Sequence, residues 1–321
     1  MWWLRLTFWG YEMARIDILK AFETEPRPLD FVLPGLLAGT VGALFSPGAT
    51  GKSFLLLEAA MGISCSVAGG DLLDMRPAHS GRVVYLAAED PEPVLRHRLR
   101  SMGKYLPFAA REAIAEFLDL HAVVGKRMNL MDDRQLDRLI EYAKGARLIV
   151  IDTISRVHRL DENSTGDMSQ LLGGLEYAAA ETGAPLVFAH HVAKSAAREG
   201  QGDQQHAARG SSVLTDNARW GAALTRMTAT ESMDHSDDPI GLRPVGAAAR
   251  GWYVRMSIPK NNYSEPIDDR WYRREDGGVL RPVNLIRIKG DGKVSATRAI
   301  PYQQAKDGQS PALAGGRDDW E

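Results

Sequence analysis

The eight residues 46–53, Ser-Pro-Gly-Ala-Thr-Gly-Lys-Ser, constrain this chain more than any other stretch. Glycines and a small first residue let the backbone turn so that successive N–H groups converge on one point, where an anion satisfies them. Thr40-Val41-Gly42-Ala43-Leu44-Phe45 before the loop reads as a buried strand, and Phe54 to Ala60 after it reads as a helix. Strand, loop and helix in that order aim the loop amides and the positive helix end at a phosphate. Pro47, Gly48, Ala49, Thr50 and Gly51 would wrap the phosphates of ATP, Lys52 would reach the β- and γ-phosphates, and the Ser53 hydroxyl would hold Mg²⁺. Ser46 stands where the pattern usually has glycine, but a small residue still permits the turn. The alternative, a plain glycine turn between strand and helix, leaves the Gly51-Lys52-Ser53 run and its flanks unexplained.

Composition narrows the rest. Hydrophobic content of 44% and charged content of 25% over 321 residues are ordinary for a globular chain of one large or two small domains. With a formal net charge of −2, any nucleic-acid contact has to be a local basic patch. Cys65 is the only cysteine, which excludes internal disulfides and a cysteine metal cluster and fits a reducing cytoplasm. Residues 1–12 form an apolar extension, too short to span a bilayer and without a small-residue cleavage site after it; the natural start is expected at Met13. No other window resembles a membrane span, so no membrane partner is expected.

Residues 13–34 are expected to form a short helix and a linker to a neighbouring subunit. Ile18, Leu19 and Phe22 share one helical face, and Pro26 and Pro28 then impose an extended connector. Packing of that helix back on its own core is the alternative. From residue 35 to 288 one α/β domain is expected. Strands are read at Arg82–Ala87, Phe117–Val123, Leu148–Ile151 and Pro185–Ala189, with helices after Pro91 and Pro93, at Asp132–Lys144, and through Met168 to Leu175. Continuous apolar strands alternating with helices predict a mostly parallel sheet covered on both faces. After residue 210 shorter strands, at Trp252–Ile258, Trp271–Arg273 and Val279–Leu280, predict appended antiparallel C-terminal strands. Residues 229–250 read as loop, and 289–321 as a flexible tail.

Ligands of open α/β sheets sit at the carboxyl ends of the strands, so the residues there carry the chemistry. Glu89 could orient and polarise the water attacking the γ-phosphate; Asp90 suits a helix cap as well as catalysis. Asp152 closes an apolar strand and could hold Mg²⁺. His190 and His191 end another strand, where one of them could touch the γ-phosphate and report its loss; a pair of satisfied core or surface histidines is the alternative. Adjacent strand residues point to opposite faces, which argues against a shared metal. The long basic loop after His191 carries Lys194, Arg198 and Arg209, which could follow a single-stranded DNA backbone; a solvated loop is the bland alternative.

With these residues in place, the chain resembles the RepA-type hexameric replicative DNA helicases of broad-host-range plasmids, RecA-like P-loop NTPases. The resemblance spans Met13 to about residue 288. It rests on Leu29-Asp30-Phe31-Val32-Leu33-Pro34, Tyr85-Leu86-Ala87-Ala88-Glu89-Asp90-Pro91, Arg209-Gly210-Ser211-Ser212-Val213-Leu214, Asp216-Asn217-Ala218-Arg219-Trp220 and Asp269-Arg270-Trp271-Tyr272-Arg273-Arg274. It implies a RecA-like fold and a homo-oligomeric, hexameric ring with ATP at each interface. It implies Glu89 as water activator, Asp152 on the metal, His190 or His191 as sensor, and Arg219 as a finger reaching the neighbour's γ-phosphate. Without the resemblance Arg219 would be one more surface arginine. Lys260 sits where related helicases place a second trans-acting cation, and Arg274 is a further conditional candidate. Related rings often carry an arginine two residues after that lysine; here Asn262 stands there. Translocation on single-stranded DNA, with separate loader, initiator and primase proteins, follows from the same resemblance. A RecA-like repair or regulatory ATPase that binds DNA without unwinding it, and a small-molecule phosphotransferase, are the competing readings.

Overall fold

A computed structural model describes residues 15–192, 214 and 217–288, together with the backbone of 7–8, 11–12 and 294–295. In chain order the strands are Thr7–Phe8 (β1), Tyr11–Glu12 (β2), Phe31–Leu33 (β3), Leu36–Leu37 (β4), Val41–Ser46 (β5), Val83–Ala87 (β6), Leu118–Ala122 (β7) and Leu148–Asp152 (β8). They continue as Leu186–His191 (β9), Trp220–Arg226 (β10), His235–Ser236 (β11), Tyr253–Asn261 (β12), Arg270–Arg274 (β13), Leu280–Pro282 (β14), Ile286–Ile288 (β15) and Val294–Ser295 (β16). The main helices are Ile18–Glu23 (α1), Lys52–Ser64 (α2), Glu92–Gly103 (α3), Phe108–Phe117 (α4), Asp133–Ala143 (α5) and Thr165–Thr182 (α6).

Among the described residues, nine strands form the central sheet in the order β14-β13-β12-β10-β5-β9-β8-β6-β7. From β10 to β7 every pairing is parallel, and β12, β13 and β14 add antiparallel strands at one side. Side chains alternate across the sheet. Leu44, Tyr85, Val150 and Val187 face the core under α2, α3 and α4. Val41, Ala43, Phe45, Leu86, Ile149, Ile151 and Phe188 face the core under α5 and α6. Both faces are therefore dry, which is why the strands read as continuous apolar runs. Asp132 caps α5 by accepting from the Gln135 N–H, and Ser164 caps α6 by accepting from the Asp167 N–H.

Three departures from the sequence reading have local causes. Phe117, read as the first residue of a strand, instead ends α4, in which Ala110 and Ile114 recur at helical spacing and bury on α2. Residues 229–250 are not simply loop. Thr228 and Glu231 form a reciprocal capping box that starts a helix at Ala229–Asp234, and a second short helix spans Gly246–Ala249. Trp220–Arg226 inserts as a parallel strand between β5 and the antiparallel set. The hairpin of β3 and β4 buries Val32, Leu33 and Leu36, and the Trp220 indole N–H donates to the Pro34 carbonyl at 2.8 Å. Residues 31–34 thus belong to the packed unit.

Helix α1 has Asp17 as its N-cap, and none of its residues is buried. Ile18 is 55% exposed, Leu19 66% and Phe22 82%. Among the described residues, none of its apolar face is buried on the core. No described helix is long and apolar enough to cross a membrane. Of the 1–12 extension only the backbone of the β1–β2 pair is described, and of the 289–321 tail only that of Val294–Ser295.

Candidate active site

The loop 46–53 follows the central strand β5 and runs into α2, so a central, doubly covered strand fixes its position. Gly51 has φ 107°, a left-handed conformation open to glycine, and α2 begins there with no side-chain cap. Its first N–H groups are thus left for a ligand. Lys52 is buried, and burial pushes its ammonium down while Asp152, Glu89 and Asp90 pull it back up. A cleft of about 290 Å³ opens beside it, lined by Gly51, Lys52, Ser53, Glu89, Asp90, His191 and Arg274 among others.

The strand ends meet at this cleft. Glu89, just after β6, accepts from the Thr153 hydroxyl at 3.0 Å and lies 3.1 Å from Nε2 of His191. Burial raises the Glu89 carboxyl, but His191, Thr153 and Lys52 outweigh it and hold it below the usual carboxylate range. It is ionised at neutral pH, as a group that orients a water by accepting its hydrogen must be. His191 also lies 3.3 Å from Nζ of Lys52. His190 points to the opposite face, buried against Phe45 with ring centroids 6.1 Å apart, and burial pushes its imidazole down. The two histidines are therefore not equivalent: only His191 lines the cleft. Asp90 does not cap α3; Pro91 takes that position and Asp90 instead pairs with Arg98 at 2.6 Å.

Asp152 ends β8, buried, and accepts from the Tyr85 hydroxyl at 2.8 Å. Burial raises its carboxyl, opposed by the hydroxyls of Ser53 and Tyr85 and the charge of Lys52. The Ser53 hydroxyl approaches this carboxylate, yet Oδ1 is left buried without a hydrogen bond. A hydroxyl and a half-satisfied carboxylate beside a phosphate loop are the oxygen donors that Mg²⁺ takes, through water or directly, so these residues fit the ion.

Arg219 and Lys260 lie elsewhere. The Arg219 N–H bonds the Val41 carbonyl at 3.2 Å, at the start of β5, and its side chain is exposed. Lys260, on β12, pairs with Gly221 of the neighbouring β10. The five-residue rise from Val41 to Ser46 sets the Arg219 backbone about 16 Å from its own loop, and Lys260, level with Gly221 and Ala43, stands about 10 Å short of it along the strands. Arg274, by contrast, lies directly on its own loop, its guanidinium donating to the Thr50 carbonyl. Lys194, Arg198 and Arg209 lie outside the described residues.

Sequence reading missed Tyr85, Thr153 and Arg226. Tyr85 sits mid-strand with no local mark of function; its role exists only because β6 lies beside β8. Arg226 ends β10 and donates to the Ala49 carbonyl at 2.5 Å. The strand-end rule would have found it, had β10 been recognised as a strand.

Among solved structures the chain is similar to one described as an ATPase domain, with a TM-score of 0.54 and 12% identity, over 82% of this chain and 95% of that one. It is also similar to a DnaB-like replicative helicase, in a structure describing its interactions with primase, with a TM-score of 0.54 and 13% identity. That match covers 76% of this chain and 57% of the helicase. The RadB recombinase aligns with a TM-score of 0.46 at 15% identity, over 77% of this chain and 91% of its own. At such identities the likeness is one of fold: a RecA-like P-loop NTPase sheet with antiparallel strands at its C-terminal side. The AAA domain family matches residues 12–197, which take in the phosphate loop and the strand ends carrying Glu89, Asp152 and His191, and the chain belongs to that family.

Proposed function

We propose that this chain is the ATP-hydrolysing subunit of a ring-shaped replicative DNA helicase of the RepA type, working in the cytoplasm on single-stranded DNA. The observation that carries this reading is the separation of Arg219 from its own phosphate loop. An exposed guanidinium at the opposite end of the sheet can serve a nucleotide only when another copy brings its loop there. The exposed apolar face of α1 supports the same reading, since a head-to-tail ring offers it a neighbour's surface. The DnaB-like relative is a replicative helicase by its own description.

In this mechanism the loop amides and Lys52 bind the triphosphate, and Ser53 and Asp152 would hold Mg²⁺. When bound there, Mg²⁺ would supply positive charge to offset the negative charge developing on the phosphates. Glu89 orients the attacking water, with Thr153 fixing its carboxylate. His191, touching both Lys52 and Glu89, senses whether the γ-phosphate is present and passes that state to the basic loop carrying Lys194, Arg198 and Arg209. Arg219 completes the neighbour's site, with Lys260 beside it. Six subunits firing in turn would pull one strand through the ring, with loader, initiator and primase supplied as separate proteins.

Sedimentation with ATP, alongside ATPase rates with and without single-stranded DNA, tests the reading. A ring and DNA-stimulated hydrolysis are expected; a monomer hydrolysing at a DNA-independent rate overturns it. Mixing Arg219→Ala with Lys52→Ala subunits should restore part of the activity, because one interface type then carries both an intact loop and an intact finger.

A further inference from the structure

Arg226 and Arg274 are both bound to the phosphate loop of their own chain. Arg226 donates to the Ala49 carbonyl at 2.5 Å. Arg274 donates to the Thr50 carbonyl and lies 3.4 Å from that of Ala49. Among the described residues neither guanidinium has a carboxylate partner. Two like charges held this close disfavour one another; burial and Arg226 together push the Arg274 guanidinium down. An anion in the loop would offset that cost.

The bonds they make have a direct geometric consequence. In a trans peptide unit the C=O and the following N–H point in opposite directions. The only cis bond among the described residues is Asp152–Thr153. Drawing the Ala49 and Thr50 carbonyls outward to the guanidiniums therefore turns the N–H groups of Thr50 and Gly51 toward the other side, into the loop. Ala49 sits at φ 59° and Gly51 at φ 107°, so the loop holds conformations that need outside support, Ala49 above all. A Cβ on Gly51 would come within 3.1 Å of the Arg274 guanidinium, which shows how tightly the arginine is laid on the turn.

Sheet order separates this pair from the hydrolytic residues. Glu89 follows β6, and Asp152 and His191 end β8 and β9, on one side of β5. Arg226 ends β10 and Arg274 ends β13, on the other side. We propose that Arg226 and Arg274 are cis-acting positioning residues: they aim the loop amides at the bound phosphates and set nucleotide affinity, not the chemical step. The proposal rests on the reading that this loop binds a nucleoside triphosphate. It assigns Arg274, a conditional trans-acting candidate by sequence, to its own subunit.

The test uses the full chain and measures Mg-ATP and Mg-ADP affinity and saturated hydrolysis for wild type, Arg226→Gln, Arg274→Gln, Arg274→Lys and Lys52→Ala. Losing a charge-assisted hydrogen bond should weaken both nucleotides alike, by roughly 10-fold for Arg274→Gln and somewhat less for Arg226→Gln. Hydrolysis at saturation should stay within about threefold, and Arg274→Lys should recover part of the affinity by keeping the charge. Unchanged affinity would overturn the proposal, and with a lowered unfolding temperature it would mean that the arginines merely bolt β10 and β13 to the loop. Loss for ATP but not ADP would place them on the γ-phosphate, and recovery of Arg274→Gln activity on mixing with Lys52→Ala subunits would make Arg274 trans-acting; either result refutes it. Failure of the underlying reading looks different: wild type then binds neither nucleotide, or Lys52→Ala binds as well as wild type.

Discussion

Glu58 offers a direct test of how the phosphate-loop helix is tied to the antiparallel side of the sheet. It lies on α2, fully buried, and its Oε1 accepts from the Leu280 N–H of β14 at 2.9 Å. Oε2 is buried with no hydrogen bond. Burial pushes the carboxyl up to about 8, against the Leu280 N–H and the Arg281 charge, from 4.5 in the free side chain. The folded chain therefore keeps a proton that the unfolded chain has lost over the window from about pH 4.5 to about 8. A raised carboxyl of this kind lowers stability as pH rises, because folding then requires proton uptake. Integrated between about pH 5.5 and 7.5, the loss comes to about 2.5 kcal/mol, as an order of magnitude. Glu58→Gln keeps the acceptor for Leu280 and removes the titration. Denaturant unfolding of the nucleotide-free chain, run in parallel on both proteins, should show the variant gaining on wild type by about that amount across the window. Any fixed cost of burying the Gln amide shifts the whole curve without changing its slope. Parallel pH profiles for the two proteins would refute the reasoning, because they would mean Glu58 is ionised in the fold.

Glu89→Gln should reduce ATP hydrolysis by about 100-fold or more while leaving nucleotide affinity nearly intact, since the amide can fill the space but cannot accept the water proton in the same way. Comparable losses in affinity and rate would show that Glu89 holds the loop instead. Tyr85→Phe removes the donor at 2.8 Å to Asp152 and leaves a buried carboxylate still less satisfied, a cost of about 1–3 kcal/mol. Thermal unfolding should show it, and the Mg²⁺ concentration for half-maximal hydrolysis should shift; an unchanged Mg²⁺ profile would separate Tyr85 from the metal. Ile18→Ser, Leu19→Ser and Phe22→Ser together should leave the chain's unfolding temperature within about 1 °C, since exposed side chains contribute little to stability. The same variant should sediment as smaller species, and an intact ring would free α1 of any role in assembly.

The phosphate loop was legible because its structure is local: eight residues, one strand before and one helix after, with the glycine at the turn that only glycine takes easily. Asp152 and Glu89 were legible through strand ends, because apolar runs closed by a carboxylate mark where a buried sheet meets solvent. The capping box at Thr228 and Glu231 is also local, yet the polar composition of residues 229–250 masks the helix it starts. Alternation said that His190 and His191 face opposite ways. It could not say which faces the cleft, since that depends on β9 pairing Phe45 with His190. Tyr85 and Thr153 carried no signal at all, because each acquires its partner from a different strand or loop.

Short-range sequence set the local devices: the anion-seeking loop, the apolar strands, the helix caps and the types of groups at the strand ends. Each depends on residues within a few positions of one another, where backbone sterics and side-chain periodicity act directly. The geometry between these devices came from the packing of the whole chain. Strand order put the carboxylates and His191 on one side of β5 and the two arginines on the other, and it carried Arg219 to the opposite end of the sheet. Those are contacts between residues far apart in the chain, fixed by which apolar faces bury together, and no local pattern encodes them.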